Sequence, residues 1–243
     1  KSECISIRMG DGRVYLSFNK DYSRAEFGAA DEDGVPEDLP LADTWSIWEQ
    51  IQPGTSGGVD NKNYDEQTHK FANFSTIKDF WRFWDFIPQP SILLDSRRMV
   101  RENKDGSTSY VDGIMIFKEN IKPTWEDPKN ADGGHLQFQI KPKDVASPGQ
   151  MDEYWNNLVL GVIGKTVEPY DIITGLRLVD KVNTGRSPQS ATVRIELWFA
   201  KADNDERETL KKNVEEIMST SLDGRKISPV PRSEVKPHSG FKR

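Results

Sequence analysis

In the stretch Ile121-Lys122-Pro123-Thr124-Trp125-Glu126-Asp127-Pro128, two prolines bracket a Trp-Glu pair. A polar segment so rich in turn formers reads as a loop, and the pair in it has a definite chemical use. The Watson–Crick edge of guanine presents two N–H donors side by side, and one carboxylate accepts both; adenine cannot match that pattern. The indole beside it offers a flat surface on which a base stacks. A structural reading competes: a loop tryptophan that packs back onto the core.

The stretch Val193-Arg194-Ile195-Glu196-Leu197-Trp198-Phe199 is a second candidate. As a strand it turns Val193, Ile195, Leu197 and Phe199 to one face and Arg194, Glu196 and Trp198 to the other. In the preceding strand-like stretch, Thr174 to Asp180 and onward, Arg177, Val179 and Lys181 share a face. Two readings of this surface stand side by side: a solvated face with one amphipathic tryptophan, or a basic and aromatic binding face.

Other chemistries find little support. His69, His135 and His238 are far apart in the sequence and lack metal-ligand spacing, so neither a metal nor a cofactor is expected. Gly164-Lys165-Thr166 lacks the earlier glycine of a phosphate-binding loop, Val159 standing in its place, and follows a predicted helix instead of opening one. It reads as a helix stop. No Cys–His signature is present, and an enzyme is not expected.

Composition narrows the class. The net charge of −6 argues against non-specific binding along a phosphate backbone, but leaves room for a small basic site. Residues 1–43 carry five Lys/Arg against ten Asp/Glu, and residues 224–243 six against one; these read as solvated ends of opposite sign. The single cysteine, Cys4, suits a reducing compartment, cytoplasm or nucleus. No stretch approaches the roughly 18 apolar residues of a membrane span, and Lys1 to Gly12 lacks the apolar run of a secretory signal. Without secretion the sequon Asn73-Phe74-Ser75 stays unmodified.

These residues need a scaffold. Cys4 to Met9 and Arg13 to Phe18 alternate around Gly10-Asp11-Gly12, which predicts a β-hairpin, followed by the acidic linker Ala30 to Leu39. Trp45 to Ile51, Gly113 to Phe117, Leu136 to Ile140, Thr174 to Asp180 and Thr192 to Phe199 read as strands. Ser75 is the expected N-cap of a helix with Ile77, Phe80, Trp81 and Trp84 at helical spacing, stopped by Pro88 and Pro90. A second helix opens at Ser147-Pro148 and ends at Gly164; a third covers Asp203 to Ser219. The irregular alternation predicts an α+β fold.

Several motifs, in order over roughly residues 40 to 220, resemble the eukaryotic translation initiation factor 4E family. Ser75-Thr76-Ile77-Lys78-Asp79-Phe80-Trp81 is similar to its Ser/Thr-Val-Glu-x-Phe-Trp motif, and Phe117 to Asp127 to its Phe-Lys-x-Gly-Ile-x-Pro-Met-Trp-Glu-Asp motif. Tyr154-Trp155, Leu158, Ile163-Gly164, Thr174-Gly175 and Ile195-Glu196-Leu197-Trp198 continue the match. The resemblance implies a curved antiparallel β-sheet with three helices on the convex face and a site for the 7-methylguanosine cap of mRNA on the concave face. It divides the chain into an N-terminal extension (1–39), a cap-binding domain (40–222) and a basic C-terminal tail (223–243). It makes Trp125 one stacking plate and Tyr64 the other, counted back from Phe74. Glu126 reads the guanine edge, Trp198 contacts the N7-methyl group, Lys181 and Arg194 contact phosphates, and Arg186 in the loop Val182 to Ala191 assists them.

The chain also departs from the family pattern. Tyr64 stands where the main branch has Trp, as in a branch that often represses translation, whereas Trp45 matches the main branch. His135 replaces an Arg, and residues 94–111 form a long insertion. On the back face, Pro40, Ile77, Trp81 and Leu160 match positions that bind Tyr-x-x-x-x-Leu-Φ helices of a scaffold factor or binding protein. Asn156 replaces an apolar residue there, and Asn157 a Glu; ordinary core packing is the competing reading of Ile77 and Trp81. The chain's own Tyr22-Ser23-Arg24-Ala25-Glu26-Phe27 resembles that motif, and the linker of residues 28–39, ~40 Å when extended, lets it reach the same face. The resulting expectation is a monomeric binding protein that recruits partners in translation initiation. Alternatives are a cap-binding repressor and, from another class, a nucleotide-processing enzyme.

Overall fold

The computed structural model describes residues 14–16, 38–52, 67–95, 97–103, 106–183, 191–220, 225–226 and 232–239. Among them nine strands form one sheet: β1 (Val14–Leu16), β2 (Pro40–Ile51), β3 (Thr68–Thr76), β4 (Met99–Glu102), β5 (Thr108–Lys118), β6 (Gly134–Ile140), β7 (Ile173–Asp180), β8 (Val193–Phe199) and β9 (Ser233–Pro237). Their main path is β1-β4-β5-β7-β8-β6-β9, with β2 joining β5 to β3. All pairs are antiparallel except β1 with β4, which is parallel. The rest of the hairpin expected at residues 4–18, and the segment 22–27, lie outside the described residues.

Alternation assigns the two faces. Ile114, Ile116, Leu136, Phe138, Ile195 and Leu197 are fully buried in the main core. Helices α1 (Ile77–Trp84), α3 (Pro148–Ile163) and α4 (Asn204–Met218) contribute to that core, and the one-turn α2 (Ser91–Leu94) beside α3 adds Leu93. The alternate residues Met115, Phe117 and Trp198 form a separate small cluster with Trp48 and Ile121 on the other face of the sheet. This is the expected α+β fold.

Local chemistry explains the helix ends. Thr76, not Ser75, is the N-cap of α1: it is the last residue of β3, its backbone still extended, and its Oγ1 accepts from the Asp79 N–H at 3.2 Å. Pro148 occupies the first turn of α3, where a missing N–H costs nothing. Gly164 caps its end and Lys165 follows at φ 59°, so Gly164-Lys165-Thr166 stops a helix and builds no phosphate loop. A full capping box between Asp203 and Glu206 starts α4.

The reading of residues 224–243 as a solvated end does not hold for Ser233–Pro237, which pairs with β6 from Phe138↔Ser233 to Gly134↔Pro237. The backbone drives this, since β6 would otherwise expose an unpaired edge. Glu215 of α4 anchors the start, accepting from the Ser233 N–H at 3.1 Å and its Oγ–H at 2.8 Å.

Candidate functional site

Trp125 and Glu126 sit in the turns between β5 and β6, and both are exposed, Trp125 at 38%. Their loop is tied down from within. Asp127 accepts from the Lys122 N–H at 2.8 Å and the Lys129 N–H at 2.9 Å. Fully buried Asn130 donates from Nδ2 to the carbonyls of Lys122 (2.9 Å) and Thr124 (3.0 Å), on either side of Pro123. Each carbonyl also takes a backbone N–H, Lys122 from Thr124 at 2.8 Å and Thr124 from Asp127 at 3.4 Å, so each Asn130 bond adds about 0.5–1.5 kcal/mol. Asn130→Ala is therefore expected to lower unfolding free energy by about 2 kcal/mol and to raise acrylamide quenching of Trp125 fluorescence; unchanged quenching would refute the role.

Beneath the loop, Trp198 is 1% exposed. Its ring meets Phe117 edge-on, with centroids 5.4 Å apart, and stacks on His135 at 5.6 Å. Gly175 allows this arrangement: a Cβ there would stand 2.4 Å from the Phe117 ring. The Trp198 Nε1–H donates to Glu196 Oε2 at 2.9 Å. Glu196, also 1% exposed, further meets Arg177 Nη1 at 3.4 Å and Arg194 Nη1 at 3.6 Å. Burial pushes the Glu196 carboxyl up, but Arg177, His135, the Trp198 bond and Arg194 more than offset it and hold it below the usual range. Arg177 also donates to Gln50 Oε1 at 2.6 Å. This surface is thus not a solvated face. It is a buried polar layer with Trp198 as its aromatic member.

Cations gather at the far end. Burial lowers the Lys181 pKa, and the like charges of Arg194 and Arg177 lower it further. Asp112 and Asp180 pull it the other way. Lys181 is fixed by main-chain bonds to Thr192 in both directions (3.0 and 3.4 Å). Buried Asp180 then accepts from the N–H groups of Val182 and Asn183 at 2.9 and 3.0 Å, so the next turn starts in a set direction.

The structure thus links Trp125 through His238 to Trp198, and Trp198 through Glu196 to Arg194, with Lys181 beside Arg194. Tyr64 and Arg186 lie outside the described residues. On the helical side, Ile77 and Trp81 are exposed at 41% and 43%, while Phe80 and Trp84 take the buried face of α1; core packing does not explain the first two. Pro40 is exposed nearby, pairing with Thr76, and the Ile77 N–H donates to the Leu39 carbonyl. Asn156 is half-buried: it accepts from Trp84 Nε1 at 2.9 Å and donates to Gln89 at 2.8 Å. Leu160 packs partly against the core, and Asn157 donates to the Thr220 carbonyl.

Sequence reasoning missed Asn130, Gln50 and the placement of His238. His135 and His238, far apart in the chain, meet at 3.0 Å. An Asn close to the prolines Pro123 and Pro128 was the available signal for Asn130; nothing in the sequence marks His238. Among the described residues no group of three or more His, Cys, Asp or Glu could hold a metal ion, and no helix is long and apolar enough to cross a membrane.

Residues 40–228 match the family model described as Eukaryotic initiation factor 4E. The chain belongs to the eukaryotic initiation factor 4E family. It is 27% identical to eukaryotic translation initiation factor 4E1 of Drosophila melanogaster over 69% of this chain and 52% of that one. It is 23% identical to the factor 4E of Candida albicans over 74% and 73%. The chain spans about half the length of the first two relatives, from Drosophila melanogaster and Dictyostelium discoideum. Solved 4E-family structures share the fold. C. elegans eIF4E-3 in complex with the 4E-binding protein Mextli has a TM-score of 0.60 at 20% identity, over 84% of this chain and 95% of that one. Ascaris suum eIF4E-3 with m7G cap gives 0.57 at 20% identity, over 85% and 94%.

Proposed function

We propose that this chain binds the 7-methylguanosine cap of mRNA and recruits partners to it in translation initiation, without catalysing a reaction, in the cytoplasm and also the nucleus. One observation carries the reading: an exposed Trp-Glu pair on a tied-down loop, joined through His238 and Trp198 to Glu196 and the cations Arg177 and Arg194, in a chain of the 4E family. The base stacks on Trp125, with Tyr64 as the opposite plate, and Glu126 accepts the two N–H donors of guanine. Trp198 lies toward the methyl group. Lys181 and Arg194, helped by Arg186, take the phosphates through charge-assisted bonds. The exposed flank of α1, with Pro40, Ile77 and Trp81, and the neighbouring Asn156 and Leu160 of α3, receives an apolar helix from a scaffold factor or binding protein.

N7-methylation gives guanine a delocalised positive charge, and stacking that charge on electron-rich rings adds ~1–2 kcal/mol. Titration with 7-methyl-GTP and GTP should therefore show a preference of about tenfold or more for the methylated nucleotide; equal affinities would overturn the mechanism. A repressor of the same family differs in its partners, and the Asn156 and Asn157 substitutions bear on that alternative. Partners retained with this protein on cap resin distinguish the two: a scaffold factor supports initiation, and a repressor complex supports the alternative.

A further inference from the structure

The strand β9 ends at the site. Its next residue, His238, is 3% exposed although it lies near the end of the described chain. The ring lies 6.1 Å from Trp125, tilted by 29°, and 4.5 Å from Trp198. Its polar atoms are tied to the Trp125 loop: Nδ1 lies 2.8 Å from the Asn130 carbonyl, and the backbone N–H donates to the Gly133 carbonyl at 3.0 Å. Gly133 is required there, since a Cβ would fall 1.9 Å from the Phe199 carbonyl oxygen.

These contacts fix the proton positions. A carbonyl only accepts, so Nδ1 of His238 carries the hydrogen, and in the neutral ring Nε2 is an acceptor. His135 Nδ1, 3.0 Å away, must then be the donor. Burial lowers the pKa of both rings, in line with a neutral pair. The imidazole of His238 is therefore a wedge with one allowed orientation, and its ring plane sets where Trp125 can rest.

We propose that His238 is a positioning residue of the cap site: it backs the Trp125 ring and couples it to Trp198, which makes β9 part of the binding machinery. The inference rests on the cap-binding reading. Loss of the wedge releases Trp125 to other rotamers, and the base then has to order the ring as it binds. A buried aromatic pair is worth about 0.5–1.5 kcal/mol, so the loss should appear as roughly a threefold to tenfold change in affinity.

The test is a titration of His238→Ala and His238→Phe, beside the unchanged chain, with 7-methyl-GTP and GTP, together with thermal unfolding and acrylamide quenching. His238→Ala should weaken both nucleotides by about the same factor, within that range, because Trp125 serves both, and should raise quenching of Trp125. His238→Phe keeps a ring without the polar ties and should recover most of the affinity. If His238→Ala melts near the assay temperature, His238→Phe decides: affinity close to the unchanged chain supports the ring-backing role, and a full loss overturns it. Equal affinity of a folded His238→Ala and the unchanged chain also overturns the proposal. Failure of the unchanged chain to bind either nucleotide would instead remove the cap-binding reading itself.

Discussion

Trp125→Ala is expected to cut affinity for 7-methyl-GTP by about a hundredfold, with little change in thermal stability. The stacked base loses ~1–3 kcal/mol of aromatic contact and the cationic ring a further ~1–2 kcal/mol, and each 1.4 kcal/mol is a factor of ten. Stability should hold because Trp125 is exposed at 38% and its loop is tied by the polar bonds of Asp127 and Asn130. Trp125→Phe keeps a smaller platform and should fall between. Isothermal titration of the three proteins checks this, and a loss below threefold for Trp125→Ala would remove this ring from the site.

Acid should weaken the fold through the same region. Burial, with the charges of Arg177 and Arg194 and the neighbouring His238, outweighs the pull of Glu196 and brings the His135 pKa down from 6.5 to about 4. A histidine with a depressed folded pKa stabilises fully above its unfolded value, and that stability is lost as pH falls from 6.5 through 4. In that window the unfolded chain binds more protons. The shift corresponds to about 3 kcal/mol, and His238 acts in the same direction. Glu49 opposes it: burial outweighs the pull of Arg101 and raises its carboxyl from 4.5 to about 6. The native state therefore keeps that proton, and stability rises as pH falls from 6 to 4.5, by about 2 kcal/mol. The two effects partly cancel in the middle of the range, which would hide the histidine in the unchanged chain. Substitution separates them. Urea unfolding at pH 7 and pH 4.5 should give His135→Gln a change on acidification that is less destabilising by about 2 kcal/mol. An identical change in both proteins would show that His135 does not titrate in this window.

Much of the architecture was legible because it rests on periodicity. Strands β6 and β8 alternate, β5 carries the apolar run Ile114 to Phe117, and α1 and α4 show apolar residues at helical spacing next to good caps. β3 was missed because Thr68 to Thr76 buries only Phe74 fully and mixes charged and apolar residues. β4 lay inside what read as an insertion. β9 was illegible for a different reason: its apolar residue Val235 points outward at 37% exposure, and backbone pairing with β6 makes it a strand. The Trp125-Glu126 pair and the face of Arg194, Glu196 and Trp198 could be named from residue types alone. That Glu196 and Trp198 are buried, and bonded to each other, could not, because alternation says which face a side chain takes and not what covers that face.

The buried layer joins parts of the chain that are far from one another along it. His135 and His238 are 103 residues apart, Asn130 and His238 108, and Gln50 and Arg177 127. Each such contact must close a long loop before it returns any energy, and folds dominated by these closures are slow to form. Helices α1 and α4, with local caps and local spacing, can begin without them. In a refolding chain, helical signal should thus precede the quenched environment of Trp198, and a nucleotide would meet a competent site only once the sheet has closed from β2 to β9.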